Sequence, residues 1–168
     1  MHAENRLPQN GKEFALFLAI ISIISVNTIA PIIMGFEFGF SKSTYLETLK
    51  VIPIMWVIVV LLVTLVAGPI VNKVLLPKFV GPTDGFNARV LFNILFSVTI
   101  LSILLTIIGT WVGMREISIE PFRNFFYAWP RNFFIAFWIE MLVAQPIARF
   151  AMKKLHEGQT RRGQSISA

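Results

Sequence analysis

The sequence predicts an all-α integral membrane fold, with four transmembrane helices arranged as two tandem, parallel-repeat helical hairpins. Three observations lead there. The chain of 168 residues is 55% hydrophobic and 14% charged, whereas ordinary globular domains carry about 25% charged residues. The apolar residues come in blocks: no charge falls between Glu13 and Glu37, between Lys50 and Lys73, or between Arg89 and Arg115. A fourth block, Arg131 to Arg149, is interrupted only by Glu140. Roughly 20 apolar residues suffice for a helix to cross a bilayer. Finally, LVAGPIV at 65–71 is nearly restated by LVAQPIA at 142–148, 77 positions on.

In chain order, residues 1–12 are polar and predicted to form a loosely ordered cytoplasmic N-terminal arm. The first two-helix repeat covers 13–76, with spans over about Phe14 to Met34 and Pro53 to Val74. The first span is too long for the 7–15-residue apolar core of a secretory signal and lacks a convincing small-residue cleavage site, so it is expected to be retained. Residues 77–88, rich in Pro and Gly, read as a cytoplasmic linker. The second repeat covers 89–153, with spans over about Val90 to Gly113 and Pro130 to Met152. The tail 154–168 is basic, polar and predicted to be disordered.

Sliding the second half over the first by 77 residues brings Ser41 onto Ser118, Pro53 onto Pro130, Pro69 onto Pro146 and Ser25 onto Ser102. No gap is needed. Each copy crosses twice, so both copies enter from the same side and are expected to be related by an axis along the membrane normal. Ten Lys and Arg residues lie on the side of the termini and linker against five on the other, which predicts cytoplasmic termini.

The loops between paired spans carry helix-start signals. Thr44-Tyr-Leu-Glu47 fits a capping box, and Ser118 is an N-cap candidate followed by Glu120 and Pro121. Helices starting there would run through Pro53 and Pro130 and bend at those prolines. Phe122, Phe125, Phe126, Tyr127 and Trp129 read as an aromatic belt at the outer headgroups, with ligand contact as the other reading.

This pattern resembles the domain-of-unknown-function family 2798, small bacterial membrane proteins built from a two-helix unit. In that family the second helix opens with Trp and closes with Pro followed by Arg. Residues 128–150, AWPRNFFIAFWIEMLVAQPIARF, fit well; residues 51–73 fit less well, with Ile52 at the place of Trp129 and Asn72 at the place of Arg149. The resemblance implies a bacterial cytoplasmic (inner) membrane and tandem hairpins, and no activity. Tandem hairpins also occur in small drug and polyamine exporters, but those carry an acidic residue in the first span, and this chain has none there.

The chain has no cysteine, which excludes disulfides and thiolate chemistry. His2 and His156 fall in the polar ends, and no phosphate loop or hydrolase motif is present. No enzyme activity, metal or cofactor is expected. The net charge of +6 is assigned to contact with anionic lipid rather than nucleic acid. Glu140 is the ionisable residue inside a span, nine residues from both Arg131 and Arg149, or about 13–14 Å along a helix. A charged carboxylate at the bilayer centre costs roughly 2.5–3.5 kcal/mol. Ala136, Ala144 and Ala148 share its face and allow close helix approach, while Phe134, Trp138 and Met141 are expected to meet lipid. Asn27, Thr64, Ser102 and Thr106 are candidate partners for Glu140. Pro69 and Pro146 are predicted helix kinks that free the carbonyls of Leu65 and Leu142, with Gln145 placed to satisfy one of them.

Two functions stay open. One is a proton- or cation-coupled transporter or exporter of a small cationic or amphipathic solute, acting as a homodimer with its pathway between protomers. The other is a non-catalytic scaffold or accessory subunit that assembles with itself or a membrane-protein partner.

Overall fold

A computed structural model describes residues 6–81 and 83–166, with side chains described to residue 160. The N-terminal residues of the arm, including His2, and the last two of the tail lie outside the described residues. The fold is helical throughout this range, and four helices are long and apolar enough to cross a membrane. Helix α1 is Gly11–Phe38 and helix α2 is Lys42–Phe79. Helix α3 is Phe86–Met114, α4 is a single turn at Glu120–Arg123, and α5 runs over 125–166.

The ends of these helices depart in places from the sequence reading. Asn10 caps α1: its side chain accepts the Glu13 N–H at 3.0 Å, while the Glu13 carboxylate accepts the Gln9 N–H at 2.7 Å. The arrangement is close to a capping box, with the carboxylate accepting from the residue before the cap. The arm is therefore ordered at Asn10, and α1 begins inside it. The cap of α2 is Ser41, which accepts the Thr44 N–H at 3.1 Å. Thr44 does not cap, and Glu47 pairs instead with Lys50 and with Arg115 across the chain. Ser118 caps nothing; its hydroxyl is buried without a hydrogen-bond partner, and Ile119 precedes the first turn. Residues of the tail are helical to Ile166. Helix α5 passes the expected end at Met152 because Met152 and His156 are buried against the rest of the bundle.

Three prolines accompany the irregularity inside the helices, whereas Pro31, Pro53 and Pro130 lie within regular α-helix. Val63–Ala67, Val71–Leu75 and Glu140–Ala144 are π-helical. Each ends two residues before a proline: Pro69, Pro77 or Pro146. A proline has no N–H to give, and its ring presses on the carbonyl four residues back. Widening the preceding turn relieves that pressure. Accordingly the Gly68 N–H reaches the Val63 carbonyl and the Gln145 N–H the Glu140 carbonyl, five residues back in each case. The π segments before Pro69 and Pro146 lie 77 residues apart, at matching places in the two halves of the sequence.

Helix α1 packs on α2 and α3 on α5, and the two pairs meet where α1 lies against α5 and α2 against α3. Small side chains permit this: Ala67, Ala144 and Ala148 are fully or almost fully buried.

Candidate functional site

The four long helices line a partly open cavity of about 130 Å³. It extends along α1 from Ser25 to Glu37, a run of about 18 Å. Its walls are mostly aliphatic, with Ile29, Ile33 and Met34 from α1, Met55 from α2, and Leu101 and Leu105 from α3. Carboxylates stand at both ends.

At the end near Ser25 is Glu140, on the first residue of the π segment of α5. The Ser25 hydroxyl donates to its Oε1 at 2.5 Å, linking the first helix to the last. Glu140 is half-buried, and it lines the cavity. The stripe of Ala136, Ala144 and Ala148 faces protein as expected, while Phe134 and Trp138 lie exposed on the outer surface.

At the other end stands a network that the sequence reading missed. Arg131 Nη2 lies 3.2 Å from Glu37 Oε1, with both side chains largely buried. The Asn132 side-chain oxygen accepts from the same guanidinium at 3.2 Å, and its Nδ2 donates to Thr106 Oγ1 at 3.2 Å. The Phe36 ring lies under the guanidinium, 5.6 Å from it. Opposite charges flanking two different span ends, Glu37 and Arg131, were the available signal.

The predicted partners of Glu140 fare unevenly. Asn27 is exposed and donates to the Ile23 carbonyl of its own helix at 2.8 Å. It sits two residues, about 200° of helix turn, from Ser25, and so faces away. Thr64 is exposed on α2. Neither reaches Glu140. Gln145 accepts from Arg149 at 3.5 Å rather than serving a freed carbonyl. Ser102 and Thr106 do line the cavity, but their hydroxyls serve others: Ser102 accepts the Trp129 indole N–H at 3.0 Å, and Thr106 holds Asn132. Trp129 thus reaches inward, while Phe122, Phe126 and Tyr127 keep the exposure a belt requires.

His156 is likewise no bystander in a polar end. Its Nε2 lies 3.0 Å from Glu13 Oε2, and both side chains are buried. Among the described residues no group of His, Asp and Glu is arranged to hold a metal ion.

Residues 86–156 match the family model of a domain of unknown function, DUF2798. This segment belongs to that family. It contains Trp129, Pro146 and Arg149, the positions that carried the resemblance, and in the DUF2798 segment Trp129 and Pro146 have visible structural roles. Trp129 fixes Ser102 across its hairpin, and Pro146 sets the π turn that starts at Glu140. Ser25 and Glu37, the α1 half of the site, lie outside the DUF2798 segment. No curated protein and no solved structure matches the chain.

Proposed function

We propose that the chain is a tandem-hairpin protein of the bacterial cytoplasmic membrane, with both termini in the cytoplasm, and that it transports a small cationic or amphipathic solute coupled to protons or another cation. The observation that carries this is Glu140, a carboxylate at the Ser25 end of an apolar cavity bounded by all four long helices. Ionisable groups inside a membrane bundle mark ion or substrate pathways by default. The cavity lies within one chain, so the pathway does not require the space between protomers, and a dimer would serve stability instead. Glu37 and Arg131, at the end near the hairpin turns, form the entrance.

The test is flux in proteoliposomes at several pH values, with a panel of small mono- and diammonium ions. Glu140→Gln keeps shape and hydrogen bonding to Ser25 while removing the titratable charge. It is expected to retain normal size-exclusion behaviour and to lose pH-dependent flux. Equal flux with an unchanged pH profile removes the coupling role. Orientation is tested separately on this cysteine-free chain. Cysteines at Ser43 and Glu120 should react with an impermeant reagent added outside, and one at Asp84 should not; the reverse pattern overturns the topology.

A specific observation favours the scaffold reading as the alternative. The Ser25–Glu140 hydrogen bond joins the first helix to the last, which is what a purely structural carboxylic acid would do. Under that reading Glu140→Gln is silent in every assay.

A further inference from the structure

Resting on the transport reading above, we infer that the cavity takes a small hydrophobic monocation, with its one positive charge against Glu140 and an apolar body against the aliphatic walls. Three features of the cavity lead to this occupant.

The first is hydrogen-bonding capacity. The polar groups along the wall already have hydrogen-bond partners within the protein. Ser102 accepts from Trp129 and donates to the Thr99 carbonyl at 3.0 Å. Thr106 accepts from Asn132, and Thr110 donates to the Thr106 carbonyl at 2.8 Å. A ligand body rich in hydroxyls or amides would lose its water and find few partners, an unfavourable exchange. An apolar body loses nothing.

The second is charge. Arg131 already balances Glu37 at the entrance. Glu140 has one hydrogen bond, from Ser25, and no cationic partner among the described residues. One carboxylate calls for one positive charge, and the second charge of a diammonium ion would be stranded against aliphatic walls.

The third is size. Apolar cavities of about 150 Å³ hold a molecule as large as benzene, and this one measures about 130 Å³. Because the cavity is partly open, one ring can lie against the aliphatic walls with its ammonium arm reaching Glu140, while a fused polycyclic dye exceeds the space.

The experiment is calorimetric titration of the purified full-length chain in detergent, with benzylammonium, benzyl alcohol and butane-1,4-diammonium. Benzylammonium is expected to bind about tenfold or more tighter than benzyl alcohol, the range of one charge-assisted hydrogen bond, with the diammonium weakest. Glu140→Gln should erase the advantage of the ammonium over the alcohol, and partition into micelles cancels in that comparison. Gly109→Leu tests the space with Glu140 untouched. A Cβ there would stand 3.6 Å from Met55 Cε, an ordinary contact, and the rest of the leucine fills the cavity and should abolish binding. Equal affinity for alcohol and ammonium, tightest binding of the diammonium, or undiminished binding by Gly109→Leu overturns the proposal. The wild-type ligand series decides even if a variant misfolds. Benzylammonium binding without flux would sink transport and keep this site. Glu140-dependent flux of another cation, without benzylammonium binding, would sink this occupant and keep transport.

Discussion

Two seams join the hairpins, and they are built from opposite chemistry. Where α1 meets α5, three polar contacts stand at successive depths: Glu13 with His156, Ser25 with Glu140, and Glu37 with Arg131. Where α2 meets α3, the corresponding region is apolar, with Phe79 packed on Phe92 and Phe96 at ring separations of 6.5 and 5.1 Å. Positions 77 residues apart make the contrast explicit. Glu13, Glu37, Arg131, Glu140 and His156 stand opposite Val90, Met114, Ile54, Val63 and Phe79. Only Ser25 and Ser102 agree, and even they are used differently. The Trp129 side-chain N–H holds Ser102 within its hairpin; Ile52 has no side-chain N–H, Trp56 holds Ser22 instead, and the Ser25 hydroxyl bonds across to Glu140. The candidate site therefore sits where the two halves of the sequence differ. In the bilayer proposed for it, apolar contacts between helices would carry little hydrophobic driving force, so polar contacts and close packing would hold the arrangement. One seam has both.

This contrast can be broken by mutation. Arg131→Ala should do the most damage, about 3 kcal/mol, because it leaves Glu37 largely buried without its cation. Adding Glu37→Gln should recover more than half of that loss. Reversible unfolding in mixed micelles measures both, and a double variant no more stable than the single one would remove the ion pair from the account. Next comes His156→Ala, with an expected loss of about 1.5 kcal/mol from the Glu13 contact. Its specific signature is earlier proteolysis within 153–166, while the hairpin-turn end of the bundle keeps its protection; uniform protection would show that α5 needs no such anchor.

Phe96→Leu tests the apolar seam. It keeps most of the volume and removes the ring pairing, for about 1 kcal/mol. Should it cost more than Arg131→Ala, the ranking of the two seams is wrong. The smallest effect is assigned to Trp129→Phe, about 0.6 kcal/mol, the usual size of a hydrogen bond between membrane helices. Ile52→Trp is the sharpening partner to that variant. If it draws the Ser25 hydroxyl back into its own hairpin, benzylammonium affinity should change while Trp129→Phe leaves it alone.

Much of the fold was legible in the sequence, and the reason differs by feature. The four helices follow from uncharged blocks, a local property. Glu140 was legible as the ionisable residue within a span, and the paired prolines announced the irregular turns before them. The partner of Glu140 was not legible. Asn27 looks better suited than Ser25 as a hydrogen-bonding residue, but it faces outward and satisfies itself on the Ile23 carbonyl. The tail misled for a related reason: KKLHEGQTRRGQ reads as solvated, yet His156 within it is buried against Glu13.

By itself the sequence determined the number of long helices, the approximate bounds of α1 and α3 and the 77-residue correspondence, and it singled out Glu140 within a span. These depend on local composition and on the backbone need of every buried N–H and C=O for a partner. Only the tertiary structure decided which side chains meet: Ser25 rather than Asn27 or Thr64, Glu37 with Arg131, Glu13 with His156, and a cavity between them. The physical reason lies in the rotation of each helix about its own axis. A helix that is apolar all round gives no amphipathic stripe to say which face turns inward, and lipid is as apolar as the interior it surrounds. That rotation is set by the close approach of Ala67, Ala144 and Ala148 and by the polar contacts of one seam, which exist only once the helices are together.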